Sequence, residues 1–216
     1  MNWKLPNQLT VARIALAVLF FVLLGLYQAD QPRPGLLIAA FVVFVIAGVT
    51  DFLDGYLARK MKLVSAFGRI ADPFVDKVLV VGAFAMLAGS NFMCPRSAGT
   101  GGLESTLPYW LTGGMLSIVQ SWMVVAVLAR EFVVSAIRGY SESCGRKFPA
   151  TYPGKIKMIV QLVAIGTVLV QMAVVRDATW AVCLKIGMIW LAVIVTILSG
   201  LAYVNKARKL LVSEIT

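Results

Sequence analysis

The chain alternates between long apolar stretches and short polar connections. A membrane-spanning helix needs about 20 mostly apolar residues, and six such stretches can be read along the sequence. They lie at 9–28, 35–57, 73–90, 111–137, 156–175 and 178–204. The pattern therefore predicts six transmembrane helices. Because the connections are too short for a separate soluble domain, residues 1–216 are predicted to form one all-α membrane bundle.

The composition supports a protein embedded in lipid. Of the 216 residues, 60% are hydrophobic and only 14% are charged, whereas a soluble domain averages about 25% charged residues. The chain has no histidine, which excludes a Ser-His-Asp triad and histidine metal ligands. Its three cysteines cannot by themselves complete a thiolate zinc site. Any chemistry must therefore rely on Asp, Glu, Lys, Arg and hydroxyl groups.

The basic residues are unevenly distributed between the connections. Only Arg33, Arg96 and Arg176 lie in the first, third and fifth connections, against thirteen in the termini and the second and fourth connections. The thirteen are Lys4, Arg59, Lys60, Lys62, Arg69, Arg138, Arg146, Lys147, Lys155, Lys157, Lys206, Arg208 and Lys209. Since Lys and Arg accumulate on the cytoplasmic side, both termini are predicted to be cytoplasmic. The net charge of +10 is thereby explained without a nucleic-acid partner.

Four of the ten acidic residues, Asp51, Asp54, Asp72 and Asp76, lie within 26 positions at the ends of the second and third predicted spans. A carboxylate at membrane depth costs ~2.5–3.5 kcal/mol, so such residues usually mark a functional site. On a helix, Asp51 and Asp54 would lie ~60° and ~4.5 Å apart, and Asp72 and Asp76 ~40° and ~6 Å apart. Each helix therefore offers a carboxylate pair, and the basic second connection lets the two pairs face each other.

Four carboxylates so close together require shared protons or bound cations, and oxygen-only ligands favour Mg²⁺, Mn²⁺ or Ca²⁺. Two divalent ions would balance the four negative charges and leave a site suited to a diphosphate. Gly55 and Ala58 keep the same helix face open, and Arg59 follows at the membrane surface, where it can meet phosphate. Two alternatives stay open: Asp72 before Pro73 is also typical of a helix N-cap, and acidic pairs also serve ion-coupled transporters.

These residues form the pattern Asp51-x-x-Asp54-Gly55-x-x-Ala58-Arg59, eight residues, then Gly68-x-x-x-Asp72-x-x-x-Asp76. The pattern resembles the complete signature of the CDP-alcohol phosphatidyltransferase family. The resemblance implies a six-helix, commonly homodimeric membrane enzyme that displaces CMP from a CDP-activated lipid or alcohol. It also implies that the four aspartates ligate two Mg²⁺ or Mn²⁺ ions and that Asp76 is the general base. The CDP-binding residues that it implies are Asp51, Asp54, Gly55, Ala58, Arg59 and Gly68.

The resemblance extends beyond this signature. Pro6-Asn7-x-Leu9-Thr10-x-x-Arg13, and Arg130-Glu131-x-x-x-Ser135-x-x-Arg138 followed by Gly154-Lys155-x-Lys157, look like bacterial members that use glycerol 3-phosphate. This implies transfer of the phosphatidyl group of CDP-diacylglycerol to sn-glycerol 3-phosphate, in a bacterial plasma membrane with the site facing the cytoplasm. The alternatives are another acceptor (serine, inositol phosphate or phosphatidylglycerol) and, more remotely, a cation-coupled transporter.

The second set of residues also makes physical sense. Arg130 and Arg138 would lie ~80° and ~12 Å apart on one helix, and Lys155 returns at the start of the fifth predicted span. These three cations are predicted to hold an acceptor phosphate, although positive-inside bias also accounts for Arg138 and Lys155. Glu131 is expected to be a poor partner for Arg130, because adjacent helical residues point ~100° apart. Asn7, Thr10, Arg13, Ser135 and Lys157 are predicted to support the site, Arg13 by binding phosphate or by pairing with a carboxylate.

One feature departs from the resemblance. The third connection, residues 91–109, is long for such an enzyme and is rich in Gly, Ser and Thr. This composition predicts a flexible loop, and nothing in its sequence points to a functional site.

Overall fold

The computed structural model describes the chain at residues 5–61, 66–94, 103–143, 152–176 and 178–212. Side chains are described at 11–50, 77–94 and the later ranges as far as 208, except at positions 105, 142, 152, 153 and 155. The regular elements of the described residues are helices, as predicted. The α-helices are α1 (Leu5–Leu26), α2 (Pro34–Met61), α3 (Ala66–Leu87), α4 (Tyr109–Thr112), α5 (Ser121–Ser143), α6 (Tyr152–Val174) and α7 (Thr179–Val212). Short 3₁₀ segments occupy Ser90–Phe92 and Leu103–Thr106.

Several of the helices have the apolar surfaces of membrane helices. Among the described residues, Ile156–Val174 and Thr179–Arg208 are long and apolar enough to cross a membrane. Shorter apolar helical stretches occupy Val11–Leu26, Pro34–Thr50 and Lys77–Leu87. Their outward faces carry large hydrophobic side chains that are exposed in the isolated chain, such as those along α1 and α7. These features fit a helical membrane protein.

The helix that corresponds to the fourth predicted span begins later than its apolar pattern suggested. The predicted span started at residue 111, whereas α5 starts at Ser121. The short helix α4 ends at Thr112, and the residue that caps it, Gly113, adopts a left-handed conformation with φ 62°. Gly114 follows with φ 72°. The next residues are apolar because they are buried in the core, not because they are helical; Ile118 is fully buried with φ 66°. Hydropathy alone cannot distinguish a buried apolar loop from a helix.

The first helix fixes the directions of its neighbours. Phe20 of α1 contacts Phe44 of α2, with ring centroids 5.3 Å apart. Gly82 of α3 packs so closely on Phe21 that an added Cβ would lie 2.4 Å from its ring. At the end of α3, the Asn91 side chain donates to the carbonyl oxygen of Gly25 at 2.9 Å. Hence α3 runs parallel to α1, α2 runs antiparallel to both, and α2 ends where α1 and α3 begin. We call this the N-terminal end of the bundle.

The opposite end is covered by the chain between α3 and α5. The Tyr27 ring stacks on Phe92, with centroids 5.0 Å apart. The backbone N–H of Leu116 donates to the carbonyl oxygen of Phe92 at 2.8 Å, and the Ser117 hydroxyl donates to the carbonyl oxygen of Leu87 at 2.6 Å. Burial raises the pKa of the nearby Cys94 thiol, and the negative charge of Glu104 raises it further. We call the described residues 91–94 and 103–120 the outer cap.

A buried ion pair anchors the outer cap to α6 and α7. The Lys185 ammonium is fully buried and donates to Glu104 Oε1 at 2.5 Å, to the Leu116 carbonyl oxygen at 2.6 Å and to Gln171 Oε1 at 2.7 Å. Its three donors are therefore satisfied. The composition of residues 91–109 predicted a flexible loop, but Glu104 within it is only 2% exposed.

Candidate active site

The four aspartates of the sequence pattern lie on two helices that meet at the N-terminal end of the bundle. Asp51 and Asp54 belong to α2, and Asp72 and Asp76 belong to α3. Their side chains are outside the described part of the structure, whereas their backbones lie within it. Because α2 ends and α3 begins at this end, both pairs lie near the connection between the two helices.

The register of these helices brings the aspartates to matching levels. Phe44 and Gly82 mark one level, since they pack on consecutive phenylalanines of α1. At a rise of ~1.5 Å per residue, Asp51 lies ~10 Å from Phe44, and Asp76 lies ~9 Å from Gly82, both toward the N-terminal end. The other two aspartates lie ten residues from these markers, or ~15 Å in the same direction. Each aspartate of α2 therefore has a counterpart in α3 at about the same depth.

This donor set suits a hard divalent cation. Among the side chains that the structure describes, no three His, Cys, Asp or Glu residues are grouped to hold a metal; the four aspartates are not among those side chains. Four carboxylates at two matching levels supply only oxygen ligands, which Mg²⁺ and Mn²⁺ prefer. The residues at this end of the bundle therefore fit the predicted metal ions in chemistry and depth.

A buried arginine lies at the same depth. Arg13 is seven residues before Phe20 on α1, or ~10 Å toward the N-terminal end. It is only 3% exposed. Its level matches that of Asp51 and Asp76, which supports the prediction that Arg13 pairs with a carboxylate or binds phosphate.

The remaining predicted site residues have backbones in the described helices but side chains outside the described part. Gly55, Ala58 and Arg59 follow the first aspartate pair on α2, and Gly68 precedes the second pair on α3. Asn7 and Thr10 lie in the first turns of α1, and Lys155 lies in the first turn of α6. All of them are near the N-terminal end of the bundle or on the helix turns that lead to it.

Next to the second aspartate pair lies a group of charged side chains that we call the basic cluster: Lys77, Arg130, Arg138, Lys157 and Glu131. Lys77 follows Asp76 on α3, and its ammonium donates to the Ser135 hydroxyl on α5. The Ser135 hydroxyl donates in turn to the carbonyl oxygen of Glu131 at 2.6 Å. This chain of contacts links α3 to α5 directly beside the predicted metal-binding aspartates.

Glu131 is the acidic centre of the basic cluster. Arg130 Nη1 lies 3.0 Å from Glu131 Oε1 and 3.2 Å from Oε2, and the Lys157 ammonium donates to Oε1. The prediction that Arg130 and Glu131 are poor partners was therefore wrong. The backbone directions do diverge, but the long arginine side chain bends back to its neighbour, and Lys157 from α6 holds the carboxylate in place.

The two arginines of the predicted acceptor site meet at one aromatic side chain, Tyr203 of α7. Arg138 Nη2 donates to the Tyr203 hydroxyl at 2.8 Å. The guanidinium carbons of Arg130 and Arg138 lie 5.6 and 5.5 Å from the ring centroid, within the range of a cation–π contact. Arg130 Nε also donates to the Ser199 hydroxyl at 3.1 Å. The structure thus brings together Arg130 and Arg138, as the sequence predicted.

The charge of the basic cluster favours an anion. Among the described side chains, its four basic groups face a single carboxylate, and the four aspartates beside the cluster are predicted to bind metal ions. Excess positive charge in a low-dielectric setting is costly unless an anion joins it, and arginine side chains suit phosphate because they can donate two parallel hydrogen bonds. The cluster can therefore bind a phosphate group beside a divalent-cation site.

Sequence reasoning missed Tyr203, Ser199 and the ion-pair role of Glu131. Ser199 and Tyr203 are four residues apart, a spacing that places two residues on one helix face, and both are polar within a long apolar stretch. That spacing was the available signal. Their partners lie 69 and 65 residues away in the chain, so the contacts themselves could not be predicted.

Comparison with known proteins agrees with these features. Residues 3–198 match the family model described as CDP-alcohol phosphatidyltransferase. The chain is 29% identical to the "CDP-diacylglycerol--glycerol-3-phosphate 3-phosphatidyltransferase" of Bacillus subtilis (strain 168), over 94% of this chain and 95% of that relative. A protein of the same name from Haemophilus influenzae is 30% identical, over 100% of this chain and 99% of its own length. Another from Escherichia coli (strain K12) is 28% identical, over 96% of this chain and 97% of its own length.

Proposed function

The chain belongs to the CDP-alcohol phosphatidyltransferase family, and from this premise we propose that it transfers the phosphatidyl group of CDP-diacylglycerol to sn-glycerol 3-phosphate. The products would be phosphatidylglycerophosphate and CMP. The name shared by its full-length relatives supports this acceptor. The observation that carries the proposal is the meeting of four basic side chains in the basic cluster, next to the helix turn that bears Asp76. Family membership leaves the cation-coupled transporter without support.

In the proposed reaction, a glycerol hydroxyl attacks the phosphorus that carries the diacylglycerol. The bond from this phosphorus to the oxygen of CMP breaks, and CMP leaves. Asp76 accepts the proton of the attacking hydroxyl as general base. Asp51, Asp54, Asp72 and Asp76 would hold two Mg²⁺ or Mn²⁺ ions, which when bound polarise the diphosphate and stabilise the charge on the leaving group.

The other predicted residues divide between the two substrates. Gly55, Ala58, Arg59 and Gly68, with the first aspartate pair, would contact the CDP moiety. Arg130, Arg138 and Lys155 would bind the phosphate of the acceptor, with Asn7, Thr10, Arg13, Ser135 and Lys157 in support. Gly154 provides evidence for the location of Lys155: a Cβ added to Gly154 would lie 3.3 Å from the Tyr203 hydroxyl and 3.8 Å from Arg130 Nη2. The backbone next to Lys155 therefore borders the basic cluster.

An acceptor panel tests the proposal. Purified protein with Mg²⁺ or Mn²⁺ is expected to release CMP from CDP-diacylglycerol at least ~100-fold faster with glycerol 3-phosphate than with serine, because a site built for a phosphate is left with unpaired donors by an acceptor that lacks one. Removal of the metal with EDTA should stop the reaction, and added Mn²⁺ should restore it.

Inositol phosphate and phosphatidylglycerol complete the panel, because each retains a phosphate. A preference for either one, or for serine, would refute glycerol 3-phosphate as the acceptor while leaving the family chemistry intact. Arg138→Ala should raise the KM for the true phosphate-bearing acceptor more than the KM for CDP-diacylglycerol.

A groove between α2, α6 and α7 offers a place for an acyl chain. It has a volume of about 660 Å³ and an almost entirely apolar lining that includes Phe44, Gly48, Gly166, Val170 and Trp180. Gly48 lies three residues before Asp51, or ~4.5 Å along α2. The groove therefore starts within one helix turn of the predicted metal site and leads away from it along α6. We place one lipid tail of CDP-diacylglycerol in this groove.

Filling the groove should weaken binding of long-chain substrate. Gly48→Phe is expected to raise the KM for long-chain CDP-diacylglycerol about tenfold, because the ring displaces roughly two methylene groups worth ~0.8 kcal/mol each. A Cβ added to Gly48 meets no atom within 4 Å, so the helix itself accommodates the change. Steady-state kinetics with long-chain and short-chain substrates measures the effect, which should be smaller for the short-chain form.

Gly187→Phe is the matched control. Gly187 is an exposed α7 glycine with equally open surroundings, and it does not line the groove. Equal effects of the two substitutions, or an equal effect on both chain lengths, would contradict the assignment of the groove to an acyl chain.

The membrane arrangement follows from the same helices. We propose that α1, α2, α3, α5, α6 and α7 each cross the bilayer, with both termini and the N-terminal end of the bundle in the cytoplasm. The uneven distribution of basic residues supports this orientation. In a bacterial plasma membrane the site would then receive glycerol 3-phosphate from the cytosol and the lipid from the membrane. As in its family, the protein would act as a homodimer.

A further inference from the structure

We propose that Tyr203 is a positioning residue that orients Arg130 and Arg138 toward the phosphate of the acceptor. This inference rests on the proposed function. Tyr203 is fully buried, and it comes from α7, whereas both arginines come from α5. Tyr203 therefore links α7 to α5 and sets the relative orientation of the two arginine side chains.

The geometry of the contact uses both parts of the tyrosine. Its ring lies 5.6 Å from the guanidinium carbon of Arg130 and 5.5 Å from that of Arg138, so its electron-rich face stabilises both cations. Its hydroxyl accepts a hydrogen bond from Arg138 Nη2 at 2.8 Å. Without the ring, two like charges eight residues apart on α5 would be free to move away from each other.

A further hydrogen-bond donor of Arg138 indicates that the arginine can bind a phosphate. Arg138 Nε is buried and has no hydrogen-bond partner among the residues that the structure describes. A buried guanidinium donor normally has an acceptor, and one held in place by a neighbouring hydrogen bond is ready for a phosphate oxygen. Arg130, in contrast, already contacts Glu131 and Ser199.

Two glycines lie against the arginine–tyrosine group. A Cβ added to Gly200 would lie 3.0 Å from Arg130 Cγ, and one added to Gly154 would lie 3.3 Å from the tyrosine hydroxyl. Glycine at both positions therefore lets the backbones of α6 and α7 approach the arginine–tyrosine group closely. The backbones of two helices therefore border the group and limit how far the tyrosine and the arginines can shift.

Substitutions that remove the hydroxyl and then the ring test the proposal. Tyr203→Phe keeps the ring and should raise the KM for glycerol 3-phosphate about tenfold, as expected for loss of a hydrogen bond to a charged group. Tyr203→Leu removes the ring as well and should raise it about a hundredfold. In both variants, kcat and the KM for CDP-diacylglycerol should stay within about twofold of wild type, a split that a general packing defect would not produce.

Tyr27→Phe is the matched control, because Tyr27 is a buried tyrosine at the opposite end of the bundle. It should leave both KM values unchanged. A wild-type KM for glycerol 3-phosphate in Tyr203→Phe, with unchanged melting temperature, would overturn the positioning role. So would an equal rise in both KM values. If wild-type protein itself shows no reaction with glycerol 3-phosphate, the proposed function fails, and this outcome is separate from any effect of Tyr203.

Discussion

Replacing Asp76 by Asn should lower kcat by about 10²- to 10⁴-fold, the range that general-base catalysis contributes. Asparagine has nearly the same shape as aspartate but cannot accept the proton of the attacking glycerol hydroxyl. It is also a weaker ligand for a divalent cation. Release of CMP from CDP-diacylglycerol in the presence of glycerol 3-phosphate measures the effect directly.

Two further substitutions separate the roles of this residue. Asp54 is predicted to bind metal and the CDP moiety but not to act as the base, so the activity of Asp54→Asn should recover in part when Mn²⁺ is raised, whereas that of Asp76→Asn should not. Asp30→Asn is the control, because Asp30 is an exposed acid between α1 and α2 at the opposite end of the bundle. It should leave turnover unchanged. Near-normal turnover in Asp76→Asn would show that another group is the base.

Replacing Lys185 by Met should destabilise the folded protein by about 3–5 kcal/mol, the usual cost of breaking a buried ion pair from one side. The substitution leaves the Glu104 carboxylate without the ammonium that now contacts Oε1 at 2.5 Å. Glu104 Oε2 already lacks a hydrogen-bond partner among the described residues, so the whole carboxylate would be buried without compensation. Thermal unfolding of detergent-solubilised protein measures this loss.

The double variant Lys185→Met with Glu104→Leu should recover most of the lost stability, since replacing both partners by apolar groups is often nearly neutral. Lys206→Met, an exposed position on the same helix, should leave the melting temperature nearly unchanged. A double variant as unstable as the single one would argue against the ion pair as the source of stability.

The sequence predicts most of the helices because their apolar runs are long and separated by polar connections. Five of the six predicted spans overlap long helices closely, and the exception is the helix that begins at Ser121. The apolar residues that precede this helix, from position 111 onward, belong to the outer cap and are buried against other loops and helix ends. Burial in a loop leaves the same hydropathic pattern as burial in a helix, so the pattern could not separate them.

The candidate site was predictable where its residues lie close together in sequence. Asp51 and Asp54, like Asp72 and Asp76, are near neighbours on single helices, so spacing alone indicates a shared face. Contacts between helices were not predictable in this way. Lys185 is a lone charge within a predicted span and could have been recognised as needing a partner, but that partner, Glu104, lies 81 residues away.

The anchored outer cap has a mechanical consequence for lipid exchange. Lys185 ties the cap to α6 and α7 at one end of the bundle, so a separation of these helices that admits a lipid would pivot about that end. A tilt of ~5° moves the far end of a ~30 Å helix by ~3 Å, while the pivot hardly moves. Such a motion would widen the N-terminal end of the bundle, where the predicted site lies, and leave the outer cap in place.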